Sequence, residues 1–286
     1  MKRVGLVAHP TRPAAKEAAE RLELWFDERR IEVRRADGTN TEDESAAVAF
    51  AQDLDLVVAV GGDGTLLRAA HLASRCDVPI LGVKVGRMGF LTEVEPEYAG
   101  ELLERIVQGR ARIEERLAMI AELREDVSPA QWALNEVIVE KTARHRLIRL
   151  AVYVDETYVT TFSADGVITA TPTGSTAYSF SAGGPIVTPT VPCIVVTPIA
   201  PHMVFDRSLV LDADERVTIE VLGDEAAVVS ADGRASLEVP VGSRVRIGRA
   251  PRPARFVRLD DAPTFHELVR RKFDLPGSHT HGDPRS

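Results

Sequence analysis

The sequence predicts an α/β domain with a parallel sheet, followed by a mostly β domain. Three observations carry that expectation. The first ~110 residues alternate short apolar runs with stretches of helical spacing. Beyond residue 112 the apolar runs become short, β-branched and separated by turn residues. Leu56-Val57-Val58-Ala59-Val60 is apolar without alternation, as a strand covered on both faces of a parallel sheet requires.

Taken in order, Arg3–Ala8 reads as the first strand. From Pro13 to Arg30, Ala18, Leu22, Trp25 and Phe26 recur at helical spacing among charges. The run Leu56–Val60 stops at Gly61-Gly62. Leu66 to Ser74 then reads as a helix and Pro79–Val83 as the next strand. Pro96 to Gly109 is an amphipathic helix with a glycine stop. The β region is read in Ala118–Arg124, Glu136–Glu140, Leu150–Val154, Val167–Thr171, Cys193–Thr197, Arg216–Val221 and Val245–Ile247. One helix is expected inside it, from Thr176 to Ala182, ended by Gly183-Gly184-Pro185. Pro263 to Phe273 returns to helical spacing, and residues from Gly277 onward read as a polar, flexible tail. No internal repeat is present.

A length of 286 residues suffices for two modest domains or one large one. With 44% hydrophobic and 27% charged residues, the composition is that of a soluble globular protein. No apolar run approaches the ~20 residues that span a bilayer. Met1-Lys2 leads into an apolar stretch too short for a signal-peptide core. Cys76 and Cys193 are far apart and form no CxxC pair, so neither a disulfide nor a zinc site is expected and the cytoplasm is the expected compartment. The net charge of −8 argues against nucleic acid or an anionic membrane as partner. Small anions remain compatible, because amide N–H groups, a helix N-terminus and a metal ion bind phosphate locally.

Gly61-Gly62-Asp63-Gly64-Thr65 follows a buried strand and opens a helix, the place where open α/β sheets bind ligands. Its glycines permit positive φ and close backbone approach. It is neither a Walker A loop nor GxGxxG. A tight strand-to-helix turn would account for the glycines but not for Asp63. A carboxylate in a phosphate cradle must hold a metal or accept a proton, and either role suits phosphoryl transfer to an alcohol.

Thr171-Pro172-Thr173-Gly174-Ser175-Thr176-Ala177-Tyr178-Ser179 carries six hydroxyls in nine residues at the start of the expected helix. That exceeds what one cap uses and points to a nucleotide site, with Tyr178 as a surface for a base. Asn135-Glu136 and Asp165-Gly166 each precede an apolar run. Their side chains suit ribose diols, although such pairs are also ordinary turn residues. His9 and His202, beside prolines, read as turn residues. His279 and His281 in the tail suggest no metal site, and Glu114-Glu115 reads as a solvated face.

Together these segments resemble the NAD kinases. The Gly61–Thr65 loop, Leu81-Gly82-Val83 continuing to Gly89-Phe90-Leu91-Thr92, Leu134-Asn135-Glu136-Val137, Asp165–Ser181 with Gly183-Gly184-Pro185, and Thr197-Pro198-Ile199-Ala200-Pro201-His202 follow in that family's order. The resemblance runs from ~3 to ~275, and its Asp165-Gly166 to Ser179 segment is highly specific to the family. The first loop is shared with diacylglycerol and sphingosine kinases and with phosphofructokinases.

The resemblance implies an α/β domain over 1–112, rejoined by 263–276, a β-rich NAD-binding domain over 113–262, and a tail over 277–286. It implies transfer of the γ-phosphoryl group of ATP to the adenosine ribose 2′-hydroxyl of NAD, with magnesium as the expected divalent metal. NAD would bind between the domains of a homo-oligomer, a dimer or tetramer. Asp63 would be the catalytic base and, with Gly64, a nucleotide contact. Asn135 and Glu136 would meet ribose hydroxyls, and Asp165 the base or carboxamide end. Thr176, Ala177, Tyr178, Ser179, Phe180 and Ser181 would line the adenosine pocket. Arg68, Arg146, Ala200 and Arg234 fall at looser matches that touch the dinucleotide. Gly61, Gly62, Gly64 and Thr65 would bind phosphate. Phe90 would flank a base or serve the core.

Lys84 departs from the family's usual Asn; a cation there could assist phosphate binding, alter donor preference or mark an attenuated member. Two competing readings stand beside the kinase. A lipid kinase sharing the loop would need an apolar pocket where Thr173–Ser181 is polar. A regulator binding dinucleotide without turnover would have no use for Asp63.

Overall fold

The computed structural model describes residues 1–36, 43–86, 89–91, 94–123, 130–142, 146–234, 236–259 and 262–275. Thr92, Arg124 and the tail from 277 lie outside them. The chain forms two compact units, Met1–Glu114 with Phe256–Ser286, and Glu115–Arg255.

The first unit begins β1 (Arg3–Ala8), α1 (Pro13–Glu28), β2 (Glu32–Arg35), α2 (Glu44–Ala51), β3 (Leu56–Gly61), α3 (Asp63–Ser74) and β4 (Ile80–Lys84). A 3-10 turn at Pro96–Tyr98 leads into α4 (Ala99–Val107), and β5 (Arg112–Arg116) follows. β1 pairs in parallel with both β2 and β3, and β3 in parallel with β4. Val4, Leu6, Val58, Val60 and Leu81 share one apolar cluster with Ala15, Ala18, Leu22 and Phe26 of α1 and Leu102 and Leu103 of α4. The α1 spacing of 3, 4 and 4 residues is the stripe that a helix lays on a sheet. Pro13 stands at N1 of α1, where its missing N–H costs nothing.

α3 starts at Asp63, three residues before the sequence places it, because Gly62 is the N-cap and Asp63 already has a helical partner role at the positive end of the dipole. β2, α2 and β5 are absent from the sequence reading. β2 and β5 are charged edge-type strands, which show no apolar period. β5 contains Glu114, whose expected solvated face is not observed. Glu114 accepts from the buried Arg258 guanidinium at 3.3 Å.

The second unit holds β6 (Met119–Leu123), β7 (Gln131–Ala133), β8 (Glu136–Lys141), β9 (Ile148–Val154), β10 (Thr157–Ala164) and β11 (Gly166–Ala170). After α5 (Tyr178–Ser181) come β12 (Cys193–Ile199), β13 (Leu209–Asp212), β14 (Val217–Leu222), β15 (Ala227–Ala231), β16 (Leu237–Val239) and β17 (Arg244–Arg249). They form two antiparallel six-stranded sheets, β10-β9-β14-β17-β6-β7 and β13-β12-β11-β8-β15-β16. One core contains Val137, Val139, Val167, Ile194 and Val196 from the second sheet with Leu150, Val152, Ile219 and Ile247 from the first. The alternate residues Ile138, Ile168, Ala170, Cys193 and Val195 are buried on the opposite face with Ala182 and Val187. Burial on both faces explains why β8, β11 and β12 are nearly unbroken apolar runs.

The chain then adds β18 (Ala254–Arg258), parallel to β4, and α6 (Phe265–Lys272). The first unit's sheet thus runs β2-β1-β3-β4-β18-β5. α6 carries a full Thr264–Glu267 capping box. Phe265 and Phe273 each stand 6.1 Å from the Phe90 ring. Phe90 is therefore a packing residue, and its N–H is what reaches the loop.

Candidate functional site

In the first unit, β1 leads on to β2 at one side while β3 lies at the other. The crevice past the carboxyl ends of β1 and β3 is a topological switch point, where doubly wound sheets bind ligands. A hollow of about 440 Å³ lies there, lined by His9, Arg12, Gly62, Asp63, Gly64 and Arg68 among others. The amides of Asp63 and Gly64 at the start of α3 have no intrahelical acceptor, whereas those of Thr65 and Leu66 bond the Gly62 carbonyl at 3.0 and 3.1 Å. Arg12 is fixed by a 3.0 Å bond from Nη1 to the Val85 carbonyl, and Arg68 by a 2.9 Å bond from Nη2 to the Ala36 carbonyl. Two guanidiniums and a helix N-terminus make an anion receptor in a chain of net charge −8. The sequence reading missed Arg12. Its only signal was a place one residue before a helix-opening proline, on a neighbouring strand's loop.

The glycines do not serve as expected. None of Gly61, Gly62 and Gly64 has positive φ. A Cβ on Gly61 would lie 2.3 Å from Thr65 Oγ1, so that residue is small for packing. A Cβ on Gly64 would meet nothing within 4 Å. Gly64 faces open space, and the fold itself does not require glycine there.

Asp63 is held by its neighbours. Its oxygens accept from Phe90 N at 3.2 Å and Leu91 N at 3.4 Å, and a Cβ on Gly89 would come within 1.9 Å of Oδ1. The segment at Gly89–Leu91 thus packs on the carboxylate and fixes its direction. Lys84 is not among the residues lining the hollow, and its ammonium pairs with Glu95 Oε1 at 2.8 Å. The register Gly61↔Lys84 makes it a backbone neighbour of the loop, but the side chain is committed to Glu95.

In the second unit the expected residues fall at two ends of β8 and β11. Antiparallel register sets Glu136 opposite Ala170 and Glu140 opposite Gly166. At ~3.3 Å per residue, these two pairs are about 13 Å apart.

At one end stand Asn135, Glu136 and Arg234, with Thr171 donating its N–H to the Asn135 carbonyl at 2.8 Å. Gly174 packs so tightly on this strand that a Cβ would sit 2.0 Å from the Asn135 carbonyl oxygen. Asp232, absent from the sequence reading, accepts from Leu134 N, Asn135 N and Glu136 N at 2.7, 2.8 and 3.1 Å. Arg234 Nε donates to the Ala231 carbonyl at 3.1 Å, and its Nη2 to the Trp132 carbonyl. Glu136 is 7% exposed, and its Oε2 has no hydrogen-bond partner. Burial and the neighbouring Asp232 charge push its carboxyl up to about 8, against the pull of the Tyr178 N–H.

At the other end, Asp165 pairs with Lys141, and its N–H donates to the Ile199 carbonyl at 2.9 Å. That bond brings Ala200 beside it, in a left-handed conformation with φ 44° that alanine rarely adopts. Arg146 stands apart from the Asn135 cluster, exposed and ion-paired with Glu225 over a separate hollow. Tyr178 connects the ends. Its N–H reaches Glu136, while burial and then Glu140 and Asp165 raise its phenol above the ordinary value.

The hydroxyl cluster is bonded within the protein. Thr171 Oγ1 donates to the Leu134 carbonyl, Thr176 Oγ1 to the Thr173 carbonyl, and Ser175 Oγ bridges Pro172 and Val187. Ser179 is fully buried against Thr197 Oγ1 at 3.2 Å. Arg116 Nη1 lies 3.4 Å from Thr173 Oγ1. These bonds fold the segment. Thr176 and Ala177 are half-buried, and Tyr178, Phe180 and Ser181 are exposed. The expected helix from Thr176 shrinks to a 3-10 turn at Gly174–Thr176 and the four-residue α5.

Among the described residues no three His, Cys, Asp or Glu side chains cluster as a metal cage. Asp63 is the carboxylate lining the first hollow. A single carboxylate suits a divalent ion carried largely by phosphate oxygens.

An anion receptor that also presents a fixed carboxylate suits phosphoryl transfer to an alcohol, and the fold and site define a phosphotransferase. Residues 4–111 match the ATP-NAD kinase N-terminal domain and residues 134–259 the ATP-NAD kinase C-terminal domain. The NAD kinase of Nocardia farcinica is 39% identical, over 98% of this chain and 94% of its own length. That of Heliobacterium modesticaldum is 40% identical, over 95% and 98%. The crystal structure of an NAD kinase from Archaeoglobus fulgidus in complex with ATP superposes with a TM-score of 0.77 at 28% identity, covering 97% of this chain and all of that one. Yeast NADH kinase complexed with NADH shares the fold, with a TM-score of 0.85 at 24% identity, covering all of this chain and 90% of that one. The chain belongs to the NAD kinase family, and its activity is that of an ATP-dependent NAD kinase. Neither the lipid kinase nor the non-catalytic regulator is supported.

Proposed function

We propose that the two half-sites divide the work of this reaction, the first unit binding phosphate and supplying the base, the second holding the acceptor dinucleotide. The observation that carries the reading is Asp63. It is fixed by two amides at the mouth of an arginine-flanked helix N-terminus.

Asp63 orients the adenosine ribose 2′-hydroxyl of NAD and takes its proton as the oxygen attacks the γ-phosphorus of ATP. Positioning and charge neutralisation supply most of the acceleration for so loose a transition state. The amides of Gly62 and Gly64 and the Thr65 side chain, with Arg12 and Arg68, bind phosphate oxygens. Asn135 and Glu136 receive ribose hydroxyls, and Asp165 the far end of the dinucleotide. Tyr178, Phe180 and Ser181 offer the exposed faces of the adenosine pocket. Ala200 and Arg234 flank its two ends, whereas Arg146 is given no part. Asp63 is the carboxylate that would hold a divalent ion, magnesium by expectation, which would neutralise charge on the donor phosphates. Among the described residues no helix is long and apolar enough to cross a membrane. The reading places the enzyme in the cytoplasm as a dimer or tetramer, which sedimentation of the purified chain decides.

Asp63→Asn keeps size and removes basicity. We expect turnover in a coupled NADP assay to fall by about 10²–10⁴-fold, with NAD affinity changed only a few-fold. A folded variant keeping more than half of wild-type activity removes Asp63 as the base.

A further inference from the structure

We propose that Asp232 is the positioning residue of the dinucleotide half-site, its carboxylate holding the Asn135–Glu136 pair in place and its charge deciding which form of Glu136 meets the ligand. The inference rests on the reading above that Asn135 and Glu136 contact the dinucleotide.

The geometry comes from the end of a β ladder. β15 pairs with β8 up to Ala231↔Val137. At the next residue the chain turns, with Asp232 in a left-handed conformation, φ 51°. The Asp232 N–H still donates to the Glu136 carbonyl at 3.0 Å. Its carboxylate then closes on the three amides that β15 no longer serves, those of Leu134, Asn135 and Glu136. Three converging N–H donors need two acceptor oxygens. Asn at 232 would turn an NH₂ group toward one of these amides and leave both unpaired. The clamp fixes the backbone from which the Asn135 and Glu136 side chains project.

Its second effect is electrostatic. Glu136 Oε2 is buried and unpartnered within the protein, so a ligand atom is what would satisfy it. The charged and titratable groups around it are Asp232, with Arg234 on the same turn, and Tyr178 on the segment above. Glu140 and Asp165 lie further along that face and act on Tyr178. Burial and Asp232 both favour the neutral acid, and only the Tyr178 N–H opposes them. At neutral pH Glu136 therefore offers a proton to an uncharged acceptor such as a ribose hydroxyl oxygen. Ionisation removes that donor and sets a carboxylate there instead.

The test is steady-state kinetics of the full chain from pH 6 to 9.5, varying NAD at saturating ATP and magnesium, with circular dichroism confirming the fold. For wild type, KM for NAD is expected to be flat to about pH 8 and then to rise about tenfold per pH unit, with kcat little changed. Glu136→Gln, still a donor but unable to ionise, should raise KM a few-fold and abolish the alkaline rise. Asp232→Asn should raise KM at pH 7 by at least tenfold and start the rise at lower pH, because the charge that kept Glu136 neutral is gone. A residue that only braced the fold would lower the melting temperature and leave the shape of the profile unchanged. An unshifted profile in Asp232→Asn, or an alkaline rise persisting in Glu136→Gln, overturns the proposal; the second holds even if Asp232→Asn fails to fold. Asn135→Ala separates the two levels of inference. If it leaves KM for NAD unchanged, the half-site itself is misassigned. If it raises KM while Asp232→Asn leaves both KM and profile as in wild type, only the role of Asp232 falls.

Discussion

Replacing Gly64 by Ala distinguishes a glycine kept for the fold from one kept for a ligand. Gly64 is the second residue of α3, its φ is not positive, and a Cβ there meets no atom within 4 Å. The folded chain should accept the methyl group. Alanine's better helix propensity and the loss of unfolded-state freedom should even stabilise the first unit by about 0.5–1 kcal/mol. A phosphate drawn to the α3 amides, however, must come close to that Cα. A methyl group in the way would cost about one charge-assisted hydrogen bond, ~1.5–3 kcal/mol, or roughly 10- to 150-fold in kcat/KM. Urea unfolding and coupled-assay kinetics on the same preparation give both numbers. Unchanged kcat/KM would show that no ligand approaches Gly64. A stability loss above about 1 kcal/mol would show that the loop needs glycine for its own conformation. Either result refutes the assignment of this turn as the phosphate cradle.

Glu136→Gln should change the pH dependence of stability. The folded carboxyl lies at about 8 against an ordinary 4.5, so the unfolded chain releases this proton first and wild-type stability falls as pH rises between those values. Between pH 5 and 8 the variant should escape a loss of about 3 kcal/mol. Trp132 fluorescence in a Trp25→Phe background follows the second unit, and parallel pH curves would disprove the buried neutral acid. Arg12→Gln should raise KM for ATP about tenfold at low salt and less at high salt, since screening replaces part of what the guanidinium supplies; a salt-independent KM equal to wild type would remove it from the receptor. Gly174→Ala forces a methyl group into the Asn135 carbonyl, and should cost about 1–3 kcal/mol in urea unfolding together with a higher KM for NAD. A variant as stable as wild type would mean that the segment shifts freely.

What could be read from the sequence follows burial. Leu56–Val60 and the strands β8, β11 and β12 announce themselves because both faces are covered, so apolar residues run on without a break. Glu32–Arg35 and Arg112–Arg116 are strands through backbone pairing alone. Their charged side chains carry no period, and Arg112–Arg116 even reads as solvent-facing, although Glu114 is the partner of the buried Arg258. The Asp63 loop was legible because a carboxylate between glycines has no purely structural excuse in a short turn. Its anchoring amides at Phe90 and Leu91 were not, since a backbone N–H leaves no mark on residue identity. Asp232 was hidden for a related reason. Asp-Gly is an ordinary turn dipeptide, and the amides it holds lie 96 to 98 residues away in sequence.

The hydroxyl-rich segment shows that residues read as candidate ligand contacts also build the segment that carries them. Thr171, Ser175, Thr176 and Ser179 look like ligand contacts in a list, but each bonds to a protein oxygen a few residues away or across the sheet. A segment that crosses over a sheet without joining it has unpaired carbonyls to satisfy, and short hydroxyl side chains satisfy them at the smallest volume. The cluster therefore marks a tightly folded segment over β8 and β11, and that folding leaves Tyr178, Phe180 and Ser181 outward. The same economy holds in the first unit, where a chain of net charge −8 binds anions through amides and two anchored guanidiniums. Local geometry sets affinity for a phosphate, and net charge decides only which macromolecules keep away.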